Sequence, residues 1–232
     1  MKLILWDIDG TLVCTGKAGE TALLKAIKEK TGKDGSLDVI DYRGRTDLFI
    51  ARQILDHHGL PITSESLHAF TECYLKHLAI ELPKAKDGRL LPGILAALEA
   101  VKKHKGIAQG LLTGNLVKGA QLKLDHYSVW HYFEFGAFAD DSHIRDELGP
   151  YALRRAKDRH GRDFKPKDVF IVGDTPHDIA CARAIGANSI AVATGNFSKD
   201  DLLKCEPTAY FDDLSDLNAF FAVIEGPGKA AS

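Results

Sequence analysis

The sequence predicts an α/β fold: a Rossmann-like doubly wound parallel sheet core with an inserted all-helical cap domain. Three observations carry this. Short apolar runs alternate with longer amphipathic stretches over most of the 232 residues, the rhythm of a parallel sheet covered by helices on both faces. The rhythm breaks once, between Gly16 and Lys86, where only helices can be read. Four apolar runs turn polar at the same end, the end beyond which ligands bind in an open parallel sheet. Hydrophobic residues make up 45% of the chain, enough to build such a core.

The elements follow in order. The first strand, Leu3–Asp9, sits in the run ILWDIDGTLV. Helices are expected at Glu20–Lys30, Asp47–His58 and Ser64–Leu82, separated by the turn-rich TGKDGS and GLPIT. The core is therefore assigned to 1–15 and 87–232, and the cap to 16–86. After the cap, strands are expected at Ile107–Thr113, Glu134–Ala139, Val169–Asp174, Ser189–Ala193 and Ala209–Phe211. The helices between and after them are Pro92–His104, Leu116–Tyr127, Tyr151–His160, Asp178–Ile185 and Leu214–Ile224. The small, polar tail GPGKAAS is expected to fray.

Bulk properties exclude several classes. A formal charge of −2 gives no electrostatic case for nucleic acid or an anionic membrane. No apolar run approaches the length of a membrane span, and MKLILWDID turns acidic too soon for a signal peptide. Cys14, Cys73, Cys181 and Cys205 are far apart, without metal-type spacing, and are expected to be reduced thiols of a cytoplasmic protein.

The chemistry lies at the strand ends WDIDGT, LLTGN, AFADD and IVGDTPHD. The period of a strand places Asp7 and Asp9 on one side and Ile8 on the other. Gly10 permits a sharp turn that Thr11 can tie down. A turn or cap role explains one such Asp, but not two flanking one apolar residue with Asp174 and Asp178 at another strand end. Anions about 4 Å apart repel by roughly 4 kcal/mol per pair at an effective dielectric near 20. Such a cluster needs a cation, and oxygen donors suit Mg²⁺ better than Zn²⁺.

DIDGTLV, LLTGN and GDTPHDIACARAIGA, in that order, resemble motifs one, two and four of the haloacid dehalogenase superfamily, its phosphoglycolate phosphatase-like branch above all. The likeness runs from Asp7 to the neighbourhood of Gly195, and the inserted helices resemble the first cap type of that family. It implies a Mg²⁺-dependent phosphatase acting on a small phosphorylated metabolite through an aspartyl-phosphate. Asp7 would be the nucleophile, since a carboxylate is ionised at pH 7 without special tuning. Asp9 would protonate the leaving alkoxide, then activate water, while its backbone carbonyl binds the metal. Thr113 and the N–H of Gly114 would hold the phosphoryl oxygens, with Asn115 in the same turn at the start of a phosphate-attracting helix. Asp174 would complete the metal site, and Asp178 would act one step out.

The third motif departs from the family pattern. Its usual lysine is absent from DDSHIRDELGPYALRRA, and Arg145 is the substitute; Lys165 and Lys167 read as solvated. In the cap, YRGRTD resembles a segment that turns back to the active site, which makes Arg45 a candidate for the substrate's leaving group. A plain helix start, with Thr46 or Asp47 as its cap, is the competing reading. His57 and His58 read as surface residues, and the role of His177 is open. A phosphosugar mutase of the same superfamily shares these motifs, and an idle binding protein on this fold is a third reading. The dehalogenase branch works without the second Asp and without metal. The chain does not disclose its oligomeric state.

Overall fold

Residues 1–226 are described by a computed structural model. The chain begins with β1 (Lys2–Trp6) and β2 (Val13–Cys14), then the helices α1 (Ala18–Thr31), α2 (Asp47–His57) and α3 (Ser64–Glu81). It continues through β3 (Arg89–Leu90), α4 (Ile94–Lys103), β4 (Ile107–Leu112), α5 (Val117–His126) and β5 (Gly136–Ala137). It closes with α6 (Leu148–His160), β6 (Val169–Gly173), α7 (Pro176–Ala184), β7 (Asn188–Val192), α8 (Lys199–Lys204), β8 (Ala209–Phe211) and α9 (Leu217–Glu225).

Six strands form one parallel sheet in the order β5-β4-β1-β6-β7-β8. β1 is central and buried on both faces, hence its unbroken apolar run. Ile4 and Trp6 point into one face, where Leu98 and Val101 of α4, Leu124 of α5 and Phe220 of α9 cover them. Leu3 and Leu5 point into the other, against Leu148 and Ala152 of α6 and Ala182 of α7. After β5 the chain crosses back over β4 and β1 to lay down β6 on the far side of β1. This reversal of direction brings the carboxyl ends of β1 and β6 side by side, the place where such sheets open a crevice.

Helices α1 to α3 leave the sheet between β1 and β4 and build an apolar cluster of their own around Ile27, Ile54, Phe70, Tyr74 and Leu78. Their entry and exit are tied together. Val13 pairs with Leu90 and Cys14 with Arg89 in a two-stranded antiparallel ribbon. That closure lets a long insertion leave the core without disturbing the ladder.

Several boundaries differ from the sequence expectation for identifiable reasons. β1, β4 and β6 stop short of Asp7, Thr113 and Asp174, so the polar residues stand on loops just past the ladder. The strand expected over Glu134–Ala139 pairs only at Gly136–Ala137, because it is an edge strand and Glu134 turns out to Arg159. α6 and α7 start earlier than expected, each with a proline in its first turn, where the missing N–H costs nothing. The short α8 was not foreseen, although Ser198 caps it by accepting from the N–H of Asp201. Lys165 and Lys167 are exposed, as expected. The expectation for the tail falls, after Gly226, outside the described residues.

Phe220 is fully buried and packs its ring 5.7 Å from Trp6 and 6.3 Å from Phe211. Phe220→Ala should cost about 3–5 kcal/mol of stability in chemical denaturation, the usual scale for such a cavity. A cost below about 1 kcal/mol would contradict this account of the α9 packing.

Candidate active site

The site begins where β1 ends. The N–H of Asp7 still donates to Val172 O of β6 at 3.0 Å, so Asp7 is anchored to the neighbouring strand. The chain then folds over itself: Ile8 O accepts from the N–H groups of Leu12 and Val13 at 2.9 and 3.0 Å. Gly10 makes this turn possible with φ of 79°. A side chain there would also collide with the carboxylate of Asp174. Thr11 Oγ1 donates to Asp174 Oδ1 at 3.1 Å. At the end of β6, Asp178 folds back so that its Oδ2 accepts from the N–H and hydroxyl of Thr175, at 3.0 and 2.7 Å.

Arg145 closes the cluster from a short turn ahead of α6. It is buried; its Nη2 donates to Asp178 Oδ1 and lies 3.2 Å from Asp7 Oδ1. Its Nη1 donates to Gly44 O of the inserted segment at 3.0 Å, and its Nε has no partner among the described residues. Three buried carboxylates thus face one buried guanidinium. Burial pushes Asp7 up to about 6, Asp178 and Asp9 add to this, and Arg145 opposes it. Burial, Asp178 and Asp7 push Asp174 well above the usual carboxylate range. Burial alone would lower the Arg145 guanidinium, but Asp178 and Asp7 hold it above its ordinary value.

These shifts describe a charge deficit. Oxygens of Asp7, Asp174 and Asp178 lie within 4.8 Å of one another. The donors are all carboxylate oxygens, which fit a hard divalent cation. Both oxygens of Asp178 are already taken, by Thr175 and Arg145, so Asp7 and Asp174 offer the open positions. The carboxylate of Asp9 lies outside that set.

Asp9 instead meets partners that the sequence reading missed. Its Oδ2 accepts from Lys123 Nζ at 2.6 Å and from Asn115 Nδ2 at 2.8 Å. Lys123 is buried on α5, beside Ala120 and Leu124. Its place in that inward-facing row was the available signal. Thr113 is fully buried; its Oγ1 accepts from Asn115 Nδ2 at 2.8 Å, and Asn115 rather than Thr113 reaches the cavity.

The start of α5 corrects the expectation of an open, phosphate-attracting helix end. The N–H of Leu116 donates to Asp47 Oδ2 at 2.8 Å and that of Val117 to Asp140 Oδ2 at 2.7 Å. Two carboxylates occupy the helix terminus, as its dipole favours.

Asp47 belongs to a segment of the insertion that lies directly on this loop. Its N–H donates to Gly114 O at 2.7 Å, and Thr46 Oγ1 donates to His143 O at 2.7 Å. A side chain at Gly114 would strike the carbonyl of Arg45. In YRGRTD, Thr46 caps α2 by accepting from the N–H of Phe49, as the helix-start reading has it, and Arg45 lines the cavity. The guanidinium of Arg45 is engaged, with Nε 2.7 Å from Asp41 Oδ2. Half-buried His177 is pushed down by burial, Arg45 and Arg145. The cavity over these residues measures about 410 Å³ and is shared by Asp7, Asp9, Asn115, Arg145 and Asp174 with Arg45, Tyr42 and Tyr74 of the insertion. A larger groove of about 640 Å³, beside the edge strand β5, holds none of these groups.

Residues 4–183 match the sequence model of the haloacid dehalogenase-like hydrolases. The chain belongs to this family. It is 26% identical over 218 residues to "Probable phosphatase IndB" of Dickeya dadantii (strain 3937), covering 93% of this chain and 91% of that one. It is 25% identical over 224 residues to phosphoglycolate phosphatase 1 of Pseudomonas aeruginosa, covering 93% and 78%. Among solved structures, a hydrolase from Pseudomonas syringae superposes with a TM-score of 0.74 at 18% identity, covering 97% and 99%. The fold of that hydrolase is therefore shared across nearly the whole chain. No helix among the described residues is long and apolar enough to cross a membrane.

The raised carboxylates give a pH signature. Without a cation, the contribution of Asp7 to stability is complete below its ordinary 3.8 and is lost as pH rises through about 6. A bound divalent cation needs the ionised form, so it competes with protons below that point. Saturating Mg²⁺ should therefore raise Tm more at pH 7.5 than at pH 5. Equal shifts at both would contradict the cluster as a cation site.

Proposed function

We propose that this hydrolase is a Mg²⁺-dependent phosphomonoesterase acting on a small phosphorylated metabolite of the phosphoglycolate kind, through an aspartyl-phosphate on Asp7. One observation carries the reading: Asp7 lies beside Asp174 and Arg145 while Asp9, two residues on, faces the same cavity. The names of the two relatives support it, and a cavity of about 410 Å³ suits a small metabolite.

In this reading Asp7 and Asp174, with the backbone carbonyl of Asp9, would hold the Mg²⁺. When bound, the ion offsets the negative charge of the carboxylates and the phosphoryl group. An oxygen of Asp7 attacks phosphorus, and Asp9 gives a proton to the departing oxygen. A water then attacks the same phosphorus, Asp9 takes its proton, and the bond to Asp7 breaks. Arg145 holds positive charge against the transferred group, and Asp178 orients it. The N–H of Gly114 is left to meet a phosphoryl oxygen, with Thr113 supporting Asn115 behind it. Arg45 would exchange Asp41 for an anionic group of the substrate. Residues 16–86 act as the cap, closing over the substrate to exclude bulk water. Four unpaired cysteines fit a reducing cytoplasm.

A panel of phosphorylated metabolites, assayed for inorganic phosphate with Mg²⁺, tests the reading. Isomerisation of a sugar phosphate without phosphate release would contradict it, as would full activity in chelator. Asp7→Asn should leave less than about a hundredth of the rate, because an amide is not a competent nucleophile. Arg145→Ala should lower kcat by about 2–4 kcal/mol of transition-state stabilisation, and Arg145→Lys should recover part of it. Wild-type kcat in Arg145→Ala would remove Arg145 from the mechanism.

A further inference from the structure

We propose that Lys123 is a positioning residue that fixes which oxygen of Asp9 carries the transferred proton. The inference rests on the phosphomonoesterase reading but concerns a residue that reading does not use. Lys123 lies in the last turn of α5, where a lysine ordinarily reaches solvent and meets the negative end of the helix. Here it points inward and is only 4% exposed. A buried ammonium is costly unless its charge and its N–H groups are met. It is met by Asp9 Oδ2 at 2.6 Å and by Asn115 Oδ1 at 2.5 Å. Asn115 turns its own Nδ2 to the same Asp9 oxygen at 2.8 Å. The three side chains therefore close a triangle on Oδ2.

That triangle leaves the two oxygens of Asp9 unequal. Oδ2 receives two N–H donors, one of them charged. Oδ1 has no partner among the described residues, and the side chain, 42% exposed, forms part of the cavity wall. A carboxylic acid has one C=O and one O–H. An oxygen already holding two donors is the acceptor, so the proton resides on Oδ1.

The chemistry then balances through Oδ1. As an oxygen of Asp7 bonds to phosphorus, the ester P–O bond breaks, and its electron pair leaves with the alcohol oxygen. That oxygen takes the proton from Oδ1 and leaves as an alcohol, with Asp9 now a carboxylate. Water next bonds to phosphorus while the bond to Asp7 breaks. Oδ1 takes the water proton, and inorganic phosphate departs. Asn115 alone would tether Oδ2 with one neutral donor. Lys123 adds the charged one and, through Asn115 Oδ1, holds the tether itself in place.

The test separates proton delivery from general damage by changing the leaving group. kcat/KM is measured at saturating Mg²⁺ for β-glycerophosphate, whose alkoxide must be protonated, and for 2,4-dinitrophenyl phosphate, whose phenolate leaves without a proton. Lys123→Met should lower the value for the alkyl ester by at least about 30-fold and for the aryl ester by less than about 3-fold. In an Asp9→Asn background the same change should add less than about 2-fold on the alkyl ester, since Lys123 acts through Asp9. Lys123→Gln keeps an N–H donor without the charge. It should show a smaller loss confined to the alkyl ester, and it supplies the comparison if Lys123→Met does not fold in a thermal melt. Equal losses on both esters, no loss on either, or full additivity with Asp9→Asn would overturn the proposal. A folded wild-type enzyme that releases phosphate from neither ester would overturn the phosphomonoesterase reading itself, which distinguishes the two failures.

Discussion

The structure depends on a crowd of buried carboxylates that the protein does not neutralise by itself. Asp7, Asp174 and Asp178 converge at the ends of two neighbouring strands, and among the described residues Arg145 is the buried positive charge that pairs with Asp7 and Asp178. Each such acid loses its hydration and repels the others. Hydrophobic packing of β1 and β6 on both faces of the sheet holds them together against that repulsion. In the proposed function, a divalent cation held at this site would couple to the stability of the core.

The inserted helices take part in the same arrangement. Gly44 O accepts from the guanidinium that pairs with Asp7 and Asp178, and the Asp47 N–H donates to Gly114 O. The segment contributes both main-chain atoms, Gly44 O and the Asp47 N–H, and side chains, Thr46 Oγ1 and Asp47 Oδ2, to these contacts. A glycine at 114 is required because the carbonyl of Arg45 occupies the space a Cβ would take. Tyr42, Arg45 and Tyr74 of the insertion line the cavity, and a fold that serves many reactions does not itself set substrate choice.

Much of this was legible in the sequence, and the remainder has definite reasons. The period of two within WDIDGT and the later GDTPHD placed Asp7, Asp9 and Asp174 at one end of the sheet. Arg145 was legible only through the family resemblance, as a substitute for the missing lysine, and the structure brings it to Asp7. Lys123 was harder to read, because a lysine in the last turn of a helix normally serves the helix end, and its place beside Ala120 and Leu124 on the inward-facing row was the one signal against that. The chain could not disclose that Asp47 and Asp140 occupy the start of α5, since both arrive from distant segments. Strand ends shifted because pairing stops where a polar side chain must leave the ladder, which local propensity does not encode.

The central claim is that Asp7 becomes covalently phosphorylated. It is tested most directly by acid-quenching the Mg²⁺-loaded enzyme during turnover of a phosphate-labelled substrate, reducing with borohydride, and mapping the modified residue by peptide mass spectrometry. The account predicts label on the protein within a single turnover and reduction at position 7 alone. Phosphate release with no protein-bound label, or reduction at another carboxylate, would contradict it.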